Sequence, residues 1–313
     1  IVGTWISKGW GWADGVIHFP DQPFGNTGGD KAPEIAVSRI VGNQPSNLLN
    51  AIRNSLEVIK GTSGYAYDRS HALLVSGTGG GQGNFVDNVD DIAGILGGQG
   101  VTVDKLHWKD YAISARLNQF RSRAPNKDII FYRDHANVDV WGNDGELWTT
   151  NFPVNFSNTN PFVYSSACLA GNYEDHPKWH GGDYNIAEAF FDSGAAVYLG
   201  ATEVSPRSPN SNLGKSLFKG WWNSKQSLGA TLANLERAIW KLPPVFFHKC
   251  RFWVYEYNLY GDTKFGAISS PLATSETDED DTLFTTVVFT EPLPTLDIVV
   301  PDYQVNSEGE IDY

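Results

Sequence analysis

A histidine and a cysteine each close a short apolar run in this chain. One run reads Asp128-Ile129-Ile130-Phe131-Tyr132-Arg133-Asp134-His135, the other Phe162-Val163-Tyr164-Ser165-Ser166-Ala167-Cys168. The thiolate is a strong nucleophile, and a nearby imidazole can lower the thiol pKa or remove its proton. If the two run-ends meet, they form the minimum apparatus for thiol nucleophilic catalysis. Small residues surround the thiol: Ser165, Ser166, Ala167, Ala170 and Gly171. They are expected to leave room for a substrate carbonyl and to let backbone N–H groups approach it. The amides of Ala136 and of Cys168 itself are the expected oxyanion donors. Taken singly, each residue reads as structural: a buried Cys, and a His hydrogen-bonded at a strand end. Cys168 and Cys250 are the two cysteines present, so one disulfide is a competing use of the thiol.

The elements that must position this pair follow from periodicity. Both runs are rich in β-branched and aromatic residues and read as strands. His71–Ser76, Val101–His107 and Ala195–Gly200 read the same way, and Pro33–Val41 is expected to be a strand as well. Helices are expected at Ser46–Lys60, Asp87–Leu96, Asp110–Arg123, Tyr184–Ser193, Asn212–Asn223 and Leu228–Lys241. In the first of these Leu49, Ile52, Leu56 and Ile59 fall at helical spacing, and Ser46 is a plausible N-cap. A polar, Trp-containing insertion separates the two reactive runs, from Trp141 to Asn160. Strands alternating with helices predict an α/β fold, a three-layer α/β/α sandwich on a mainly parallel sheet. In such a sheet, chemistry collects outside the carboxyl ends of the strands. His135 and Cys168 stand at two such ends.

Two other constellations invite chemistry. Gly77-Thr78-Gly79-Gly80-Gly81-Gln82-Gly83 follows a strand but lacks the Lys-Ser/Thr of a phosphate loop, and Gln82 stands where a dinucleotide fingerprint needs Gly. It reads as a loop. His176 and His180 lie four apart with Glu174, Asp175 and Asp183 nearby, but Pro177, Gly181 and Gly182 argue for a solvated loop over a metal pair. A metal-dependent hydrolase built on the two histidines is a third reading of the chain.

Composition bounds the rest. The 313 residues are 41% hydrophobic and carry a net charge of −13. Eleven of the acidic residues lie in 271–313, which has no Lys, Arg or His. The body is therefore nearly neutral, and it carries no basic footprint for nucleic acid. No run is long and apolar enough for a membrane span. The chain contains no Met and shows no signal peptide, the expectation being a processed or trimmed product. Two units are expected: a catalytic domain over 1–270, and an acidic segment over 271–313. The second is a linker that runs into strands at Leu283–Phe289 and Leu296–Val300, an edge appendage or the start of a β domain.

At its reactive residues the sequence resembles the caspase-like cysteine peptidases of clan CD, and most of all the gingipain family. Ala167-Cys168-Leu169-Ala170-Gly171-Asn172-Tyr173 is similar to the family's nucleophile segment. Ile186–Phe190, Gly194–Thr202, Glu256–Asp262 and Pro33–Arg39 are similar to its other signatures, with Thr263 where Pro is usual. The resemblance runs over about 1–267. It implies a caspase-like sheet and an endopeptidase with a thioester acyl-enzyme. Cys168 would be nucleophile, His135 general acid/base, and the backbone amides of Ala136 and Cys168 the oxyanion hole. It implies a protein or peptide substrate, no required cofactor, an extracellular or cell-surface location, and further domains, an N-terminal subdomain among them. A structural Ca²⁺ has no support in the sequence. Glu203 and Trp141 are candidates for lining the substrate pocket; P1 preference is not readable. One departure matters: the family's Gly-His-Gly is Asp134-His135-Ala136 here. The added Cβ at 136 excludes some backbone angles, and motivates the alternative of an inactive pseudopeptidase serving as a secreted binding or adhesion module.

Overall fold

The computed structural model describes residues 5–6, 17–18, 20–30, 32–42, 45–60, 69–78, 85–142, 147–149, 152, 154–173, 185–242 and 244–266. Six strands form the central sheet: β1 (His71–Ser76), β2 (Thr102–His107), β3 (Ile129–Arg133), β4 (Phe162–Ser166), β5 (Val197–Ala201) and β6 (Tyr257–Gly261). They lie in the order β6-β5-β4-β3-β1-β2. All neighbours are parallel except β6, which runs antiparallel to β5. β3, β4 and β5 are buried along their whole length, as expected of strands covered on both faces.

Among the described residues seven longer helices cover the sheet: α1 (Pro45–Lys60), α2 (Phe85–Gly97), α3 (Ile113–Arg123), α4 (Ile186–Asp192), α5 (Arg207–Ser224), α6 (Leu228–Lys241) and α7 (Pro244–Glu256). Alternate strand residues point to opposite faces, and two hydrophobic clusters result. Leu74, Phe131, Tyr164 and Leu199 pack against α2, α5, α6 and α7 through Ile92, Leu217, Leu235 and Trp253. Leu73, Ile130, Val163 and Tyr198 pack against α1, α3 and α4 through Ala51, Phe120 and Phe190. The expected α/β/α sandwich is what forms.

Several local expectations need correction. Pro33–Val41 is not a strand. It touches the sheet through one parallel bridge, Arg39 to Tyr260, with the Arg39 N–H donating to Leu259 O and the Gly261 N–H to Arg39 O, each at 2.9 Å. α1 begins at Pro45, so Ser46 lies inside the helix rather than capping it. Its apolar stripe does not face the core: Leu49, Ile52 and Leu56 are 55%, 42% and 44% exposed. The opposite side is buried instead. Asn54 Nδ2 donates to Phe191 O (2.7 Å) and Ala195 O (2.9 Å), and Ser55 Oγ to Ala196 O (3.2 Å). The helix α7 and strand β6 were not anticipated as elements. Cys168 and Cys250 are both free thiols, and Cys250 is buried in α7, so the disulfide does not form. The segment 271–313, with its expected linker and strands, lies outside the described residues, as do Gly79–Gly83.

Candidate active site

The site begins with strand register. β3 pairs with β4 from Ile129 and Phe162 to Arg133 and Ser166. His135 and Cys168 each lie two residues beyond that last pair. Neighbouring strands are about 4.8 Å apart, so the two strands end side by side at the carboxyl edge of the sheet.

The His135 backbone is clamped from two sides. Its carbonyl accepts from the Tyr132 hydroxyl at 2.6 Å and from the Gly142 N–H at 3.0 Å. The second bond belongs to a hairpin that pairs Ala136 with Trp141 and Asn137 with Val140. Antiparallel pairs alternate between hydrogen-bonded and non-hydrogen-bonded. With 135 and 142 bonded, Ala136 and Trp141 form a non-bonded pair, and the Ala136 N–H points away from the partner strand. Ala136 is not among the residues at positive φ, so the angles that Gly alone would permit are not required of it. The half-buried His135 ring stands edge-on to Phe85, with centroids 5.6 Å apart. Asp134 is buried and fills the space over Gly77, where a Cβ would collide with its carboxyl group.

The half-buried Cys168 sits on a loop stitched to the end of β5. The Leu169 N–H donates to Glu203 O (3.0 Å) and the Gly171 N–H to Ala201 O (2.8 Å), while Asn172 Nδ2 donates to Thr202 O (2.8 Å). Leu169 adopts a left-handed φ of 55°, which turns the chain sharply after the thiol. The Ser205 N–H donates to Cys168 Sγ at 3.3 Å. Burial pushes the Cys168 thiol pKa up; the Ser205 N–H and the Arg133 guanidinium pull against it. Arg133 is itself held at the end of β3, its Nη1 donating to Ser166 O at 3.0 Å and its Nε to Asn88 Oδ1 at 3.3 Å.

Other expectations fare differently. Ser165, Ser166, Ala167, Ala170 and Gly171 are all buried. Gly171 lies against the backbone of Gly200, where a Cβ would not fit. Trp141 does not line a cleft. It is fully buried, stacked on Tyr132 with centroids 4.3 Å apart, and its work is to brace the strand that delivers His135. Glu203 is half-buried, and its carbonyl anchors the loop that carries the thiol. His176, His180 and the acidic residues near them lie outside the described residues. Among the described residues no group of three or more His, Cys, Asp or Glu could hold a metal ion.

Sequence reasoning missed Ser205 and Glu256, which lie behind the thiol. Ser205 Oγ is 2.8 Å from Glu256 Oε1. It also missed a serine and a histidine at the ends of β1 and β2, in line with an aspartate on α2. Ser76 Oγ is 2.7 Å from His107 Nδ1, and His107 Nε2 is 3.7 Å from Asp90. Ser76 is fully buried, so no substrate carbonyl can reach it and the trio ties two strands together.

The description "Peptidase family C25" belongs to the family model that matches residues 12–266. Among solved structures, the chain is similar to the Arg-specific cysteine proteinase gingipain R, with a TM-score of 0.63 and 16% identity. It is equally similar to the complex of Porphyromonas gingivalis RgpB pro- and mature domains, at 0.63 and 16%. A third structure, described as a protease, matches at 0.62 and 13%. In all three the alignment covers 80% of this chain and 60% of the other, so the chain spans about three-fifths of their length. At these identities the likeness concerns the fold. No curated protein matches the sequence.

Proposed function

This chain belongs to peptidase family C25, and from that premise we propose that it is a cysteine endopeptidase with Cys168 as nucleophile and His135 as general acid/base. The observation that carries the reading is the β3–β4 register, which supports a meeting of the two side chains at the sheet edge. Because burial raises the thiol pKa, the resting nucleophile is the protonated thiol. Its proton passes to the His135 imidazole as sulfur attacks the scissile carbonyl carbon. The N–H groups of Ala136 and Cys168 receive the developing oxyanion. The imidazolium then protonates the departing amine, leaving a thioester. Water, deprotonated by His135, hydrolyses the thioester and restores the thiol.

The substrate in this reading is a protein or peptide. We assign Glu203 to the pocket for the P1 side chain, where it would favour a basic residue. Glu203→Gln should lower kcat/KM for Arg over a neutral P1 by about tenfold; an unchanged ratio removes that role. Action at the cell surface or outside the cell follows the family expectation. No helix among the described residues is long and apolar enough to cross a membrane.

The test is cleavage of a peptide library by wild type and Cys168→Ala, with iodoacetamide labelling of the wild type. Cleavage that vanishes in the variant, and a labelled Cys168, are expected. Cleavage surviving in Cys168→Ala overturns the mechanism. The alternative, a non-catalytic binding module, draws on Asp134 and Ala136 flanking the histidine. It wins if Cys168 is alkylated yet no peptide is cut.

A further inference from the structure

Behind the thiol lies a buried polar group that the reaction outlined above does not use. Ser205 follows β5, and its N–H rests on Cys168 Sγ at 3.3 Å. Its hydroxyl oxygen meets three groups: Asn210 Oδ1 at 2.7 Å, Glu256 Oε1 at 2.8 Å and the Tyr257 hydroxyl at 3.2 Å. A serine hydroxyl has one hydrogen to give and two lone pairs to receive. Asn210 Oδ1 can only accept, so it takes the Ser205 hydrogen. The remaining two neighbours must then donate. Tyr257 can do so, and Glu256 can do so only as a neutral acid. A carboxylate there would leave two acceptors facing one another at hydrogen-bond distance, with the Glu256 side chain fully buried.

Glu256 grips the same loop a second time. Its carbonyl accepts from the Thr202 N–H at 2.7 Å and from the Thr202 hydroxyl at 3.1 Å. Thr202 and Ser205 thus bracket Glu203, whose carbonyl holds Leu169, the residue after the thiol. The side chain is fully buried, and burial holds its carboxyl well above the usual carboxylate range, against the pull of the Ser205 hydroxyl and with Cys168 and Glu203 acting in the same direction as burial. Neutrality also matters to the sulfur: two anions sharing one buried space would repel each other.

Resting on the reading of Cys168 as nucleophile, we propose that Glu256 is a positioning residue, a neutral acid that fixes Ser205 so that its amide stays on the Cys168 sulfur. A hydrogen bond from that amide favours the thiolate over the thiol, so the device poises the nucleophile without touching substrate.

The experiment measures the rate of Cys168 alkylation by iodoacetamide against pH, located by mass mapping, with peptide cleavage followed in parallel. The proteins are wild type, Glu256→Gln, Glu256→Ala and Ser205→Ala. Glu256→Gln keeps a donor to Ser205 and should stay within about threefold of wild type. Glu256→Ala and Ser205→Ala release the loop, so the midpoint of the alkylation profile should move about one pH unit higher, a roughly tenfold loss of rate near neutrality. Ser205→Ala removes a single oxygen and carries the test if Glu256→Ala does not fold. The proposal is overturned if Glu256→Gln is as damaging as Glu256→Ala, which would mean a carboxylate is required. It is also overturned if the Ala variants keep the wild-type profile. In that last case Cys168 remains reactive, and the peptidase reading stands as long as peptide is still cleaved; a wild-type Cys168 inert at every pH defeats both.

Discussion

Gly77 has no room for a methyl group, because the Asp134 carboxyl occupies the position a Cβ would take. Both residues are at strand ends next to the site, Asp134 directly before His135. Gly77→Ala should therefore cost about 1–3 kcal/mol, as overpacking does, with the loss read from urea unfolding midpoints. An Ala variant as stable as wild type would show that Asp134 can swing away at no cost. A second residue-scale expectation concerns pH. Burial raises the Asp21 carboxyl to about 6, outweighing the Arg39 guanidinium beside it. The unfolded chain gives up this proton near 3.8. Between those values the folded state binds more protons than the unfolded one, so stability falls as pH rises, and it levels off above about 6. Asp21→Asn lacks this component. Thermal unfolding should show wild type losing ground to the variant from pH 4 to 6 and holding constant beyond; a difference that is flat from pH 4 to 7 contradicts the shift. At this scale the sequence exposed His135 and Cys168, because each terminates an apolar run. It did not expose Ser205 or Glu256. Their relation to the thiol depends on the loop after β5 meeting the last residue of α7, and nothing in their spacing announces that meeting.

At the scale of elements, α4 shows how local chemistry holds the layer beneath the site. Asn185 accepts the Glu188 N–H through its side chain at 2.9 Å, and Glu188 accepts the Asn185 N–H at 2.8 Å. This reciprocal cap satisfies two of the otherwise orphaned N–H groups of the helix. Asn185→Ala should cost about 1 kcal/mol, measured by chemical denaturation, and Asn185→Ser should recover most of it. An Ala variant with no loss would mean that packing alone sets the helix start. The parallel strands were legible because burial on both faces makes them continuous apolar runs. The join of α7 to β6 was not. From Val245 to Tyr260 no Gly or Pro breaks an aromatic-rich stretch, and periodicity alone cannot tell a buried helix from a buried strand there. α1 misled in the other direction. Its visible stripe is apolar, yet the buried side is made of Ala51, Asn54 and Ser55, the last two donating to carbonyls at 191, 195 and 196. A sequence does not announce hydrogen bonds across such a separation.

At the scale of the whole molecule, residues 21–39 are tied to β6, the last strand among the described residues, and to α6. The Asp21 N–H donates to Asn258 Oδ1 at 3.1 Å, Arg39 bridges to Tyr260, Ser38 Oγ donates to Gly261 O at 2.6 Å, and Arg237 reaches back to Pro33 O. These bonds cover the outer edge of β6, which would otherwise offer unpaired backbone groups to another sheet. Removing residues 1–42 should therefore lower the unfolding midpoint and promote self-association, seen by light scattering. A truncated protein that stays monomeric and equally stable would show that the edge protects itself. The same ties set a schedule. Ser38 and Gly261 are 223 residues apart, and a ribosome adds roughly 5–20 residues per second. The early segment thus spends roughly 10–45 s outside the ribosome before its partner strand exists. Among the described residues β6 is the last strand, and it closes the sheet on a segment made 223 residues earlier, so the nascent chain must carry that segment without its partner until β6 is made.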